Sequence, residues 1–309
     1  MMRAKITVDK KNTFTGHKEP VYTLLQGKED NTFYSAAGDG MVVEWDMEKP
    51  EEGRLVAKVP SSVYGICYHQ ERNLLIIGQN FQGLHFVDAD SRKEIKNLKI
   101  TTSSIFDIQV DSGRAYVACG DGELVVVDLD TCTITKRIKN SEKSARSISL
   151  NPANNHMAVG YSDNKIRVYD TTTCELIKVI EGHENSVFSV KYSPDGLHLL
   201  SGSRDAHLKI WNTEAEYALH KSIVAHMYTV NNIDFSKDGK HFATCSMDKT
   251  IKVWDASSFR LLKVIDKSRH AGHGTSVNKL LWSVNDMNLF SCSDDRSISH
   301  WVINEGQAL

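Results

Sequence analysis

The sequence predicts an all-β fold, a single seven-bladed β-propeller of four-stranded antiparallel blades occupying residues 1–309. Three observations predict it. Segments ending in an aromatic or β-branched residue and usually an Asp return at near-constant spacing, each repeat divides into four short strands, and the segment from about 4 to 14 is expected to supply the strand that the final repeat lacks.

The recurring segments are EWD, FVD, VVD, VYD, IWN, VWD and HWV, ending at Asp46, Asp88, Asp128, Asp170, Asn212, Asp255 and Val302. Successive differences between these positions are 42, 40, 42, 42, 43 and 47 residues. A period of about 40–45 residues with strand-like patterning belongs to propeller blades.

The fifth repeat shows the strand pattern most clearly. SVFSVKYS, LHLLSGS and HLKIWN are separated by the turns PDG and RDA, and LIKVIEG exemplifies the outer strand. Each run is short, rich in β-branched and aromatic residues, and bounded by turn chemistry. These strands are denoted a to d outward from the central channel. One four-stranded sheet cannot bury both faces, so blades must stack and the ring must close. The last repeat stops after strand c with the tail INEGQAL, and the segment from about 4 to 14 is expected to supply its fourth strand.

Composition agrees with one globular unit. Hydrophobic residues make up 40% and charged residues 25%, and 5 prolines leave little material for a disordered linker. A formal charge of −2 provides no general field for a phosphate backbone or an anionic membrane, so nucleic acid is not an expected partner. The N-terminus has no apolar core of a signal peptide, and no run of 18 apolar residues exists to insert into a membrane. The chain is therefore expected to remain where it is made, in the cytoplasm, or the nucleus of a eukaryotic cell. Cys67, Cys119, Cys132, Cys174, Cys245 and Cys292 form no C-x-x-C pair and read as small core residues with free thiols. No phosphate-binding G-x-x-x-x-G-K, no H-E-x-x-H and no metal-ligand spacing is present, so no cofactor or metal is expected. His220, His270 and His300 read as solvated or hydrogen-bonded side chains.

Gly-His occurs before strand a at Gly16-His17, Gly182-His183 and Gly272-His273, with Ala225-His226 as a variant, and Trp-Asp ends strand c at Trp45-Asp46 and Trp254-Asp255. In these dipeptides and in its period the sequence resembles the WD40-repeat family over essentially its whole length. The resemblance implies a protein-binding propeller.

A Ser-His-Asp constellation suggestive of a hydrolase appears as His183, Ser203 and Asp205 ahead of Trp211. It recurs as His226, Ser246, Asp248 and Trp254, and again as His273, Ser293, Asp295 and Trp301. A catalytic site is normally singular, whereas a blade-building device is expected once per blade. The family resemblance implies a structural tetrad that ties the loop before strand a to the b–c turn and strand c. Repeat one has His17, Asp39 and Trp45 but Ala37 at the assumed hydroxyl position. Repeats two to four lack the His, have Val87, Val127 and Tyr169 in place of the Trp, and repeat two puts Phe81 where the turn Asp belongs. Those blades need another source of order.

Binding is expected on the top face, where the d–a loops and b–c turns emerge. Aligning the starts of strand a brings Tyr22, Tyr64, Phe106, Arg146, Phe188, Asn231 and Asn278 to one rim, joined by Arg204 and Met247 from the b–c turns. Aromatic residues with Arg suit an interface hot spot, the rim position implied by the resemblance contacts peptides, and Arg146 or Arg204 could pair with a carboxylate. Against this, Phe188 shares strand parity with Val190 and Tyr192, which favours simple core packing. Lys267 and Arg269 in the loop 266–274 add charge to this face, while 48–54 reads as a solvated acidic turn at the opposite end or outer edge.

The expected function is thus a non-catalytic scaffold holding other proteins or peptides, within a multiprotein complex. The alternatives are a propeller enzyme at the channel mouth, which needs acidic, His or Arg side chains converging there, and a reader of modified or basic peptides, which needs an acidic top face.

Overall fold

The computed structural model describes residues 6–284 and 287–305. Seven four-stranded antiparallel sheets follow one another around a ring. Blade one comprises Val21–Gln26, Thr32–Ala37, Met41–Asp46 and Lys49–Lys58, and blade five comprises Val187–Tyr192, His198–Ser203, His207–Asn212 and Ala218–Val224. Six strands c end where the repeat predicts, at Asp46, Asp88, Asp128, Asp170, Asn212 and Asp255. The seventh, Ile298–Glu305, runs past the expected Val302.

Its extra length is matched by the strand that closes the ring. Ile6–Phe14 pairs antiparallel with it from Phe14 opposite Ile298 to Ile6 opposite Glu305. Residues 4 and 5 of the expected closing segment lie outside the described residues. Phe14 fixes the joint: fully buried, it meets Phe33 at 5.0 Å and Trp45 at 5.6 Å edge to face, and Phe290 at 6.1 Å.

The core lies between blades. One cluster joins Tyr34 and Val42 of blade one to Val63, Ile66 and Leu75 of blade two, and the same arrangement continues around the ring. Close approach demands glycine at the end of some strands b: a Cβ on Gly202 would stand 2.6 Å from Val230 Cγ1 of the next blade. The outer d strands are far more exposed. Residues 48–54 fall largely within one of them, Lys49–Lys58, and not in the solvated turn that their charge suggests.

The tetrads exist, but their hydroxyl sits two residues earlier than sequence spacing indicates. In blade five Ser201 Oγ lies 2.8 Å from both His183 Nε2 and Trp211 Nε1, while His183 Nδ1 meets Asp205 at 2.8 Å. Thr244 takes this place between His226 and Trp254, and Ser291 between His273 and Trp301. Ser203, Ser246 and Ser293 instead organise the b–c turn, each accepting from the backbone N–H of the turn Asp. Cross-strand register explains the difference: Trp211 pairs with Leu199, so of the two serines on that face Ser201 lies nearer the indole. It also corrects blade one, where Ser35 and not Ala37 is the relevant position. Ser35 joins His17 and Trp45 at 2.8 Å each, and His17 meets Asp39, so four blades carry a complete tetrad.

Blades two to four use other polar networks. In blade two His85 meets Gln79 at 2.8 Å and Glu94 at 3.3 Å. In blade three Thr101 donates to Asp121 at 2.6 Å. In blade four Ser141 donates to Asp163, which also takes a fork from Arg167 at 2.7 and 3.1 Å, and Tyr161 and Tyr169 hydroxyls meet at 3.1 Å. Each satisfies buried polar groups that the tetrad satisfies elsewhere.

The cysteines are free, all buried except the half-buried Cys132. Burial pushes the Cys67 thiol up to about 12, well away from a reactive thiolate. His300 is fully buried, stacked on Phe290 and hydrogen-bonded to Asn288. No helix among the described residues is long and apolar enough to cross a membrane.

Candidate functional site

All seven strands a are irregular at the same place. Pairing with strand b slips between Val21 and Thr23, Val63 and Gly65, Ile105 and Asp107, Ala145 and Ser147, Val187 and Ser189, Val230 and Asn232, and Val277 and Lys279. The skipped residues are Tyr22, Tyr64, Phe106, Arg146, Phe188, Asn231 and Asn278. A β-bulge leaves its extra residue unpaired and re-aims the side chain. Phe188 therefore loses the parity that would bury it with Val190 and Tyr192, and is only half-buried.

The seven side chains line one cavity of about 290 Å³ on the top face. Tyr22 meets Tyr64 edge to face at 4.6 Å, and Tyr64 stacks on Phe106 at 5.7 Å. Arg146 is sandwiched next, its guanidinium 4.3 Å above the Phe106 ring and 4.6 Å from that of Phe188. The Asn side chains complete the circuit: Asn231 donates to Ser276 and to Val277 O, and Asn278 donates to Val21 O and Asp294.

A second row beneath holds the strands a of blades three to seven together and has no counterpart in the sequence reading. Asp107 accepts from Ile148 N, Ser147 from Val190 N, Ser189 from Ile233 N and Asn232 from Leu280 N, at 2.8–3.2 Å. The short polar residue directly after these four bulges, Asp107, Ser147, Ser189 and Asn232, is the signal that marks this row.

Arg146 stands out electrostatically. Its Nε donates to Ser162 at 2.9 Å, and no carboxylate among the described residues pairs with it. Burial, with some help from the like charge of Arg204, pulls its pKa below the ordinary guanidinium value. Arg204 and Met247 are exposed on the b–c turns but do not line the cavity. In the loop 266–274 a short helix, Lys267–His270, is capped by Asp266, which also pairs with Arg269 at 2.8 Å and offsets its charge.

The model of the WD domain, G-beta repeat matches residues 9–46, 174–212, 218–255 and 266–301, and that of the anaphase-promoting complex subunit 4 WD40 domain matches 115–192. The chain belongs to the WD40-repeat family. Blades that match the repeat model carry the full tetrad, and the stretch outside it covers blades two to four, where other networks replace it. Among solved structures, this WD40 chain is similar to the crystal structure of the WD40 beta propeller domain of Doa1, with a TM-score of 0.84 at 17% identity, covering 97% of this chain and 98% of the other. No curated protein matches its sequence.

Proposed function

We propose that this WD40 propeller is a non-catalytic scaffold that binds a peptide or protein segment on its top face, at the rim of the channel. WD40 propellers generally act as protein-interaction modules. The observation that carries the reading here is the set of seven strand-a bulges, which directs four aromatic side chains and one arginine to a single cavity. Aromatic and Arg side chains with defined, mutually packed geometry are the residue types that dominate interface energetics.

The same cavity argues against an enzyme. Its one carboxylate, Asp107, already accepts from Ile108 N, Gln109 Nε2 and Ile148 N, so the lining pairs no free acid with the amine of Lys279. No group of three or more His, Cys, Asp or Glu placed to hold a metal occurs among the described residues.

Quantitative affinity purification comparing wild type with Tyr64→Ala/Arg146→Glu tests the proposal. A set of proteins lost from the variant, with its melting temperature kept within a few degrees, is expected. Identical recovery by both forms contradicts it.

A further inference from the structure

We infer that the channel mouth takes an internal acidic side chain of the partner segment, flanked on both sides by apolar residues. This deepens the interaction reading above and rests on it.

The charge follows from how Arg146 is held. Phe106 and Phe188 of the two neighbouring blades flank its guanidinium and its Nε donates to Ser162, so packing and a hydrogen bond together hold the planar fork in place. Nη1 and Nη2 have no partner among the described residues, and the side chain lines the cavity. A fork so held, with two free donors, matches the geometry of a carboxylate. A cationic ligand is disfavoured, because the aromatic cage that would attract it is filled by this arginine, and Arg204 adds charge of the same sign.

The flanking chemistry follows from the surface around the mouth. Phe81 on the b–c turn of blade two is 64% exposed, while Met227 and Met247 on blade six are 82% and 57% exposed. These apolar side chains stand on opposite sides of the ring. Phe81 also holds a left-handed backbone, φ +66°, a conformation bulky residues rarely adopt. Unlike Tyr217 and Phe259, which hold the same conformation with their rings buried, Phe81 turns its ring to solvent. A cavity of 290 Å³ accommodates a side chain better than a length of peptide, so the remainder of the segment lies across the top, reaching both flanks.

The test uses fluorescent heptapeptide pools, acetylated and amidated, with mixed Leu, Val, Ile and Phe flanks and either Glu or Gln at the centre. A third pool has central Gln and a free C-terminal carboxylate. Binding is followed by anisotropy. The Glu pool is expected to bind wild type at least tenfold more tightly than either other pool, the loss a charge-assisted fork predicts. Arg146→Gln should abolish that preference. Phe81→Gly should weaken the Glu pool severalfold without lowering the melting temperature, since glycine relieves the backbone strain. Equal binding of the Glu and Gln pools, equal binding of the free-carboxylate pool, or no binding by any pool overturns the inference. In each of those outcomes, rim-dependent recovery in affinity purification would still leave the scaffold reading standing.

Discussion

The guanidinium of Arg146 lies 4.3 Å from the centre of the Phe106 ring and has no carboxylate partner among the described residues. Two blades thus present a charge that the fold itself leaves uncompensated. A half-buried charge without a counter-ion costs some stability, so it is retained where it serves something else. Arg146→Met should therefore leave unfolding free energy within about 1 kcal/mol of wild type, lost cation–π contact offsetting the removed desolvation cost. Denaturant unfolding of the two forms measures this.

The hydroxyl at the centre of the tetrad distinguishes two similar-looking residues in blade six. Thr244→Val keeps the side-chain shape and leaves Trp254 Nε1 and His226 Nε2 without their buried partner, an expected cost of about 2–4 kcal/mol. Ser246→Ala affects a turn closer to solvent and should cost about 1 kcal/mol. Thermal melting of both variants separates these values, and a larger effect at Ser246 would contradict the assignment.

Acid should unfold the propeller in two stages. Burial holds His183 and His226 below the ordinary value of 6.5, outweighing the opposing pull of Asp205 and Asp248. Below that pH the unfolded chain takes up protons that the folded chain refuses, so stability falls. Burial alone would raise Asp205 and Asp248, but their hydrogen bonds to His and to backbone N–H groups hold them well below 3.8. Their contribution, complete above 3.8, is lost as pH falls further. Melting temperature should be level above about pH 7 and decline below 6.5, then more steeply below 4. A flat profile down to pH 4 would contradict neutral buried histidines.

Ring closure should depend on Phe14. Phe14→Ala empties a site walled by Phe33, Trp45 and Phe290 and is expected to cost about 3–5 kcal/mol. Hydrogen exchange should show the loss first in Ile6–Phe14 and its partner Ile298–Glu305.

Periodicity made the ring legible in the sequence, and the missing last strand made its closure legible, because both follow from local pattern. The seven strand-a positions that line the cavity were also found, by counting from His17, His183, His226 and His273, whereas Arg204 and Met247 lie outside it. What could not be read was the direction in which those side chains point: strand alternation places Phe188 with Val190, and only the bulge between Val187 and Ser189 separates them. The hydroxyl of the tetrad was misplaced for the same kind of reason, since Ser201 and Ser203 share a strand face and only cross-strand geometry shows which one meets Trp211. The replacements in blades two to four join residues such as His85 and Glu94 or Asp163 and Arg167, pairings that no repeat template encodes.

The most direct measurement is calorimetric titration of the partner recovered by affinity purification into wild type, Tyr64→Ala/Arg146→Glu, and a control altered on an outer strand, Lys136→Glu. The rim variant should lose at least a hundredfold in affinity, with folding intact and the control unchanged. Equal affinity for all three proteins would contradict a binding site on the top rim.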